Sequence, residues 1–244
     1  MIVLEDVWKR FPSGPLVAQG ITAVFPAGRA TALLGRNGAG KSSLLAMIAG
    51  TLRPDAGQVV RHGRVSWPVG FAGAFHPDLT GAQNTRFVAR VYGVDSRSLL
   101  GFVRDVSGLG DAMRQPVRRY SSGMRARLGF AISMGIPFDM YLVDEVTAVG
   151  DAAFRRETSE LLKVRLGQAG AIVVSHAPAQ LRGLCTAGAV LEEGRLLLSD
   201  HPDSPLPLHH AGRVVRPSPP PTLAALCHAR SAAPFCRLPP PPPC

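Results

Sequence analysis

The chain has 244 residues, of which 46% are hydrophobic and 18% charged, a balance typical of a soluble globular protein. No apolar stretch reaches the roughly 18 to 20 residues of a membrane-spanning helix, and the first residues lack the basic start of a secretion signal. We therefore expect the chain to lie in the cytosol or on the cytosolic face of a membrane. The net charge of +10 suits anionic partners, but the basic residues are too scattered to indicate a nucleic-acid groove.

Strand patterns come first along the chain. Alternating apolar and polar residues over the first 35 positions predict antiparallel strands, and the apolar run at residues 30–34 predicts a buried strand. Residues 44–49 predict a helix that ends at Gly50. The segment between them reads GRNGAGKS, the pattern of a phosphate-binding loop. Because strand, loop and helix follow in the required order, the sequence predicts a nucleoside-triphosphate site.

In such a loop, backbone N–H groups and the positive end of the following helix bind phosphate oxygens. Lys41 is predicted to reach the β- and γ-phosphates as a catalytic residue, and the Ser42 hydroxyl to ligate Mg²⁺. The predicted nucleotide-binding residues of the loop are Gly35, Arg36, Asn37, Gly38, Ala39, Gly40, Lys41, Ser42 and Ser43.

Helical spacing from Thr80 to Leu109 predicts a helical insertion, followed by another helix that opens at the sequence YSSGM, residues 120–124. Ser121 in that segment is compatible with an ordinary helix N-cap or with a phosphate contact. Later apolar runs at residues 139–143, 171–174 and 187–191 alternate with helical stretches, which predicts a parallel sheet closed by residues 195–199.

Two acids, Asp144 and Glu145, follow the apolar strand at residues 140–143. Acids after a strand are common, so these two indicate a triphosphate site only in combination with the phosphate-binding loop. Asp144 is predicted to hold the Mg²⁺ shell, and Glu145 to orient and polarise the attacking water as a catalytic residue.

The composition changes beyond Asp200, where the last 44 residues hold 13 of the 22 prolines and three of the four cysteines. We expect a disordered tail over residues 200–244 or an out-of-frame ending, with a polyproline ligand as the alternative. The fourth cysteine, Cys185, has no partner at metal-ligand spacing and is predicted to be a buried reduced thiol.

The order of these motifs over residues 1–199 resembles the nucleotide-binding subunit of ATP-binding cassette (ABC) transporters. The resemblance implies an α/β fold: a P-loop NTPase (ABC ATPase) core with an N-terminal antiparallel β subdomain, a helical signature subdomain at about residues 80–137, and here a proline-rich tail. It also implies a homodimer in which the signature of one copy contacts the γ-phosphate held by the other. The roles it implies are trans contact for Ser121, Ser122 and Gly123, dimer interface for Asp151, γ-phosphate sensing for His176, and adenine stacking for Phe11.

Two of these roles have plain alternatives in the sequence. Phe11 suits a core position as well as an adenine platform, and His176 could be a polar residue that caps a strand end.

The finer resemblance is to ATPases that export bacterial capsular polysaccharide. Met124 and Val146 replace the usual glutamine and proline, as in that group, and Phe71 occupies the position of the glutamine that links Mg²⁺ to the membrane domain. The resemblance implies ATP and Mg²⁺ as cofactors, a separate integral-membrane permease, no direct nucleic-acid partner, and a peripheral location on the cytoplasmic face of the inner membrane. The segments that carry it are residues 65–73, 79–81, 86–90, 120–128 and 143–151.

Other functions fit parts of the pattern. Export of O-antigen or teichoic acid is disfavoured by the sequence SWP at residues 66–68 and by the lack of a carbohydrate-binding domain. Soluble ABC proteins that act on ribosomes or DNA generally carry two cassettes or a coiled-coil insertion. A small-molecule kinase would not use the signature segment, and the unusual tail leaves an impaired product open.

Overall fold

The computed structural model describes residues 1–12, 14, 16–69, 75–144, 152–174, 181 and 183–200, without the side chains of 152, 153 and 155–157. All of these residues belong to one unit, Met1–Leu206. The predicted tail lies outside them apart from Asp200. Within the described ranges, no helix is both long and apolar enough to span a bilayer.

The N-terminal residues form a three-stranded antiparallel sheet. Strand β1 (Ile2–Arg10) lies between β2 (Leu16–Phe25) and β4 (Ala56–Arg61), which confirms the predicted antiparallel strands. Apolar side chains of β1 and β2 point inward at alternate positions, as expected for a sheet with one buried face. Strand β4 was not predicted, because its sequence AGQVVR has no clear alternation and none of its residues is fully buried.

The central sheet has six strands in the order β5-β6-β7-β3-β8-β9. Its first five strands are mutually parallel and β9 is antiparallel to β8, which confirms the predicted parallel sheet and its closing strand. The β8–β9 hairpin turns at Glu193 and Gly194, whose φ angles of 47° and 75° match a type I′ turn. The strand bounds are Ala30–Leu34 (β3), Val65–Val69 (β5), Met140–Asp144 (β6), Gly170–Val174 (β7), Ala187–Glu192 (β8) and Arg195–Ser199 (β9).

The helices agree with the predicted ones. Helix α1 ends at Gly50, which adopts the left-handed conformation that favours glycine. Helix α2 begins with a capping box formed by Thr80 and Gln83, and α2 and α3 together confirm the helical insertion. The bounds are Lys41–Ala49 (α1), Gly81–Tyr92 (α2), Ser96–Ser107 (α3), Ser122–Gly135 (α4) and Ala152–Gln168 (α5).

Two hydrophobic clusters lie on the opposite faces of the central sheet. Leu33, Leu142 and Ile172 pack on the face covered by α1 and the antiparallel sheet. Their neighbours Ala32 and Val143 pack on the other face, with residues of the helical insertion, α4 and α5. Helix α1 is therefore enclosed between two sheets, which fixes the position of the loop that precedes it.

Cys185 packs in the second of these clusters and is 5% exposed. Burial raises the pKa of its thiol to about 11. The burial confirms the prediction of a buried thiol. Cys185 is the free cysteine within the described part of the chain.

Candidate functional site

The phosphate-binding loop and Asp144 lie at the same edge of the central sheet. Strand β3 leads directly into Gly35, and β6 ends at Asp144, which pairs with Val174 of β7. Val173 is level with both Ala32 of β3 and Val143 of β6, so one strand separates the loop from the acid. Parallel strands thus bring together two motifs that are about a hundred residues apart in the sequence.

The loop conformation depends on glycine at three positions. Gly35 has a φ of 150°, and a Cβ there would lie 2.4 Å from the carbonyl oxygen of Leu191. Gly40 has a φ of 98°, and a Cβ there would lie 2.4 Å from Cγ1 of Val17. Gly38, with a φ of 81°, needs glycine only for its backbone angle, because no atom lies within 4 Å of an added Cβ.

Lys41 is buried and folds back over the loop that precedes it. Its Nζ donates hydrogen bonds to the carbonyl oxygens of Gly35 at 2.8 Å and Arg36 at 3.0 Å. The ammonium group is therefore held beside the loop by the loop's own backbone. Arg36, Asn37 and Ser42 are exposed, so the loop is open to a ligand from solvent.

Helix α1 presents its N-terminus to this loop. The helix starts after Gly40, which supplies no side chain to cap the first N–H groups, and no acidic residue lies in the first turn. The positive end of the helix is therefore not neutralised by its own sequence, which favours an anion such as phosphate.

Ser121 is the N-cap of α4, and its Oγ accepts a hydrogen bond from the backbone N–H of Met124 at 3.2 Å. Ser121 and Ser122 are exposed and Gly123 is half-buried, so a second molecule can reach them. Tyr120 anchors the segment, because it is buried and its hydroxyl donates a hydrogen bond to the Ala112 carbonyl at 2.6 Å. Burial raises the pKa of the Tyr120 hydroxyl. The capping role is observed directly, while the phosphate contact remains a prediction.

Phe11 is 37% exposed, so the core alternative for this residue is wrong. The ring follows the end of β1, and Nζ of Lys9 lies over it, 5.8 Å from the centroid. The adenine-stacking role remains a prediction.

Ser42 and Asp144 offer oxygen donors that suit Mg²⁺. Ser42 offers a hydroxyl oxygen and Asp144 a half-buried carboxylate, which are hard oxygen ligands. Among the residues that the structure describes, no three His, Cys, Asp or Glu side chains cluster as a metal site. Hydroxyl and carboxylate oxygens are ligands that Mg²⁺ accepts alongside phosphates and water.

Five residues singled out in the sequence lie outside the described residues: Phe71, Glu145, Val146, Asp151 and His176. Glu145 directly follows β6, and His176 is two residues beyond β7 in the sequence. Their roles stay predictions. Conversely, sequence reasoning missed Arg61 and Asp55, which contact α1 and the end of β1. No sequence signal marks either residue, since each acts through a contact between distant segments.

Residues 18–148 match the domain family described as ABC transporter, which covers more than half of the chain. The chain belongs to the ABC transporter family. It is 42% identical over 202 residues to the polysialic acid transport ATP-binding protein KpsT of Escherichia coli, covering 81% of this chain and 90% of KpsT. It is 41% identical to the capsule polysaccharide export ATP-binding protein CtrD of Neisseria meningitidis serogroup B, covering 80% of this chain and 92% of CtrD.

These relatives confirm the predicted resemblance to ABC ATPases and to the capsule group within them. The O-antigen export system ATP-binding protein RfbB of Klebsiella pneumoniae is less similar, at 35% identity over 74% of this chain and 75% of RfbB. A solved dimeric post-hydrolysis state of the ATP-binding cassette MJ0796 bound to ADP and Pi has the same fold. Its TM-score is 0.69 at 18% identity, covering 82% of this chain and 98% of that one.

Proposed function

We propose that this chain is the ATP-hydrolysing subunit of an ABC exporter that moves capsular polysaccharide across the bacterial inner membrane through a separate permease. The observation that carries the proposal is the similarity to KpsT and CtrD, at 42% and 41% identity over about four fifths of the chain. Their names associate them with polysialic acid transport and capsule polysaccharide export. The chain would act at the cytoplasmic face of the membrane as a peripheral subunit.

The reaction is hydrolysis of ATP to ADP and phosphate. Water attacks the γ-phosphorus, the bond from that phosphorus to the β,γ-bridging oxygen breaks, ADP leaves, and the proton that the water loses passes to solvent. Glu145 orients and polarises the water, and His176 contacts the γ-phosphate. Lys41 and the loop N–H groups stabilise the charge that develops on the phosphate oxygens.

Mg²⁺ would be held by Ser42 and Asp144 and would neutralise charge on the β- and γ-phosphates. The backbone of loop residues 35–43 surrounds the phosphates. Phe11 stacks on the adenine.

We further propose that the active form is a homodimer. The exposure of Ser121, Ser122 and the loop at Arg36 supports this, because both halves of a shared site must be accessible in one copy. In the dimer, the signature of one subunit would contact the γ-phosphate bound to its partner, and Asp151 would lie at the interface. Closure of this interface would drive the permease.

Glu145→Gln tests the catalytic assignment. We expect the variant to bind ATP and to dimerise with ATP, while its turnover falls by about 10² to 10⁴, as for loss of a general base. Steady-state phosphate release and size-exclusion chromatography with light scattering would measure both effects. Hydrolysis at the native rate would remove Glu145 from the mechanism.

Ser121→Arg is the complementary variant for the dimer. We expect it to prevent ATP-dependent dimerisation and to abolish turnover while the monomer still binds ATP. Dimer formation by the variant at the ATP concentration that dimerises the wild type would contradict the assignment of the signature.

Complementation would test the substrate class. In a capsule-producing bacterium that lacks its own export ATPase, this chain and its permease should restore surface capsule. Restoration of O-antigen export in a matched strain, with no effect on capsule, would favour the O-antigen alternative. Copurification of a permease with several spanning helices would support the exporter over a soluble ABC protein.

A further inference from the structure

Asp55, in the turn before β4, makes three contacts with the end of β1. Its Oδ1 accepts a hydrogen bond from Nζ of Lys9 at 2.7 Å, and its Oδ2 accepts one from the backbone N–H of Arg10 at 2.8 Å. Its own N–H donates to the carbonyl oxygen of Trp8 at 2.8 Å. One residue therefore holds three consecutive positions of β1, directly before Phe11.

The contact pairs the negative carboxylate of Asp55 with the positive ammonium group of Lys9. The hydrogen bond from Lys9, and after it the N–H of Arg10, holds the pKa of the Asp55 carboxyl below its ordinary value. The Lys9 side chain is only 14% exposed, whereas that of Asp55 is 48% exposed. The stem of Lys9 is thus largely covered, and its ammonium group has a fixed carboxylate partner, unlike a lysine on an open surface.

The ammonium of Lys9 joins this contact to Phe11. It lies over the Phe11 ring, at 5.8 Å from the centroid, which is within the range of a cation–π interaction. The Phe11 carbonyl also accepts a hydrogen bond from the N–H of Gly14 at 3.1 Å. Asp55 holds Lys9, Lys9 contacts the ring, and the backbone carbonyl of Phe11 has a hydrogen-bond partner of its own.

We propose that Asp55 is a positioning residue for the purine base, holding the Phe11 ring through Lys9 as a platform on which adenine stacks. The inference rests on the proposed ATP-binding function and adds to it a residue that does not contact nucleotide. An aromatic ring that is fixed before binding loses less conformational freedom when a base stacks on it.

Binding of ATP and of inorganic tripolyphosphate separates the base from the phosphates. Both should bind the phosphate loop, but only ATP carries a base. For Asp55→Asn in the full chain we expect a Kd for ATP weaker by about 3- to 10-fold, and a Kd for tripolyphosphate within about twofold of wild type. Isothermal titration with Mg²⁺ present would measure both constants.

Three further variants and one control variant complete the experiment. Phe11→Ala should weaken ATP binding at least as much as Asp55→Asn does. Phe11→Tyr should bind ATP as the wild type does, because tyrosine keeps an aromatic face. Lys9→Met keeps the apolar stem, removes the ammonium and should reproduce the selective loss. The matched control is Glu160→Gln, which removes an exposed carboxylate bound to Lys163 at 2.6 Å on α5 and should change neither constant.

The outcomes are distinguishable. Equal weakening of ATP and tripolyphosphate, or no weakening of ATP, in Asp55→Asn would overturn the inference and leave ATP binding intact. An unchanged ratio of the two constants in Phe11→Ala would overturn it as well. If Asp55→Asn does not fold, by circular dichroism, the same criteria apply to Lys9→Met. Failure of the wild-type chain to bind ATP would instead reject the proposed function and the inference together.

Discussion

Nε of Arg61 donates a hydrogen bond to the carbonyl oxygen of Ile48 at 2.6 Å, in the last turn of α1. Nη2 of the same guanidinium donates to the Met47 carbonyl at 2.7 Å. Helix α1 has no basic residue in its own last turn, so β4 supplies the cation that the helix C-terminus favours. The antiparallel sheet thereby stabilises the end of α1 opposite to the phosphate-binding loop.

Arg61→Met should lower the free energy of unfolding by about 1 to 3 kcal/mol, because charge-assisted hydrogen bonds to two helix carbonyls are lost. Urea denaturation followed by circular dichroism would measure the change. Arg53→Met, at an exposed arginine in the segment before β4, is the control and should be close to neutral. Equal stability of the two variants would show that the helix cap contributes nothing measurable.

Gly40→Ala should be more harmful than Gly38→Ala. Alanine at position 38 costs about 1 kcal/mol, for its positive φ alone. At position 40 the φ is also positive, and the added Cβ would lie 2.4 Å from Cγ1 of Val17. The Val17→Ala change removes that methyl group, so it should restore part of the stability lost in Gly40→Ala. A double-mutant cycle of thermal or urea stabilities checks this, and strict additivity would contradict the proposed clash.

Ser66→Ala should destabilise the sheet between β5 and β6. Ser66 is 1% exposed, and its Oγ accepts a hydrogen bond from the N–H of Leu142 at 2.8 Å where the strand register shifts. Removing the hydroxyl leaves a buried N–H unsatisfied, at a cost of about 1 to 3 kcal/mol.

Ser133→Ala is the matched control for this change. Ser133 is equally buried, but its hydroxyl donates to the Gly129 carbonyl one turn earlier in α4. Such a bond adds little to a helix, so we expect a loss of at most about 0.5 kcal/mol. A similar loss for both serines in urea denaturation would contradict the role assigned to Ser66.

Cys185 should be almost unreactive in the folded protein. The raised pKa of about 11 lowers the thiolate fraction at pH 8 by about a hundredfold relative to a thiol at its ordinary 9.0, and burial also blocks access. With Cys227, Cys236 and Cys244 replaced by serine, reaction with a disulfide reagent should be slow until the protein is unfolded. Rapid labelling in the native state would contradict this burial.

The same thiol affects stability at high pH. Its pKa is raised in the folded state, so the folded state holds the proton more tightly than the unfolded state does. Its contribution to stability is therefore constant below pH 9.0 and falls as the pH rises from 9.0 to about 11. Comparison of Cys185→Ala with the parent chain across this range isolates the effect.

Several elements were predictable because the signal for each is local. The apolar run of β3, the glycines after it and the helix that ends at Gly50 lie within 21 consecutive residues, 30–50. The acid at the end of β6 is likewise visible as an apolar run followed by Asp144. Strand β4 was missed since its pairing with β1, rather than its own pattern, makes it a strand.

The sequence by itself determined the phosphate-binding loop, the strands and helices other than β4 and β5, and membership in the ABC transporter family, because the signal for each lies in short runs of consecutive residues. Only the tertiary structure decided that Phe11 is exposed, that Asp55 holds the strand before it, and that Arg61 caps α1. Those contacts join residues 13 to 46 positions apart, and no local pattern records which distant side chain will meet a given backbone group.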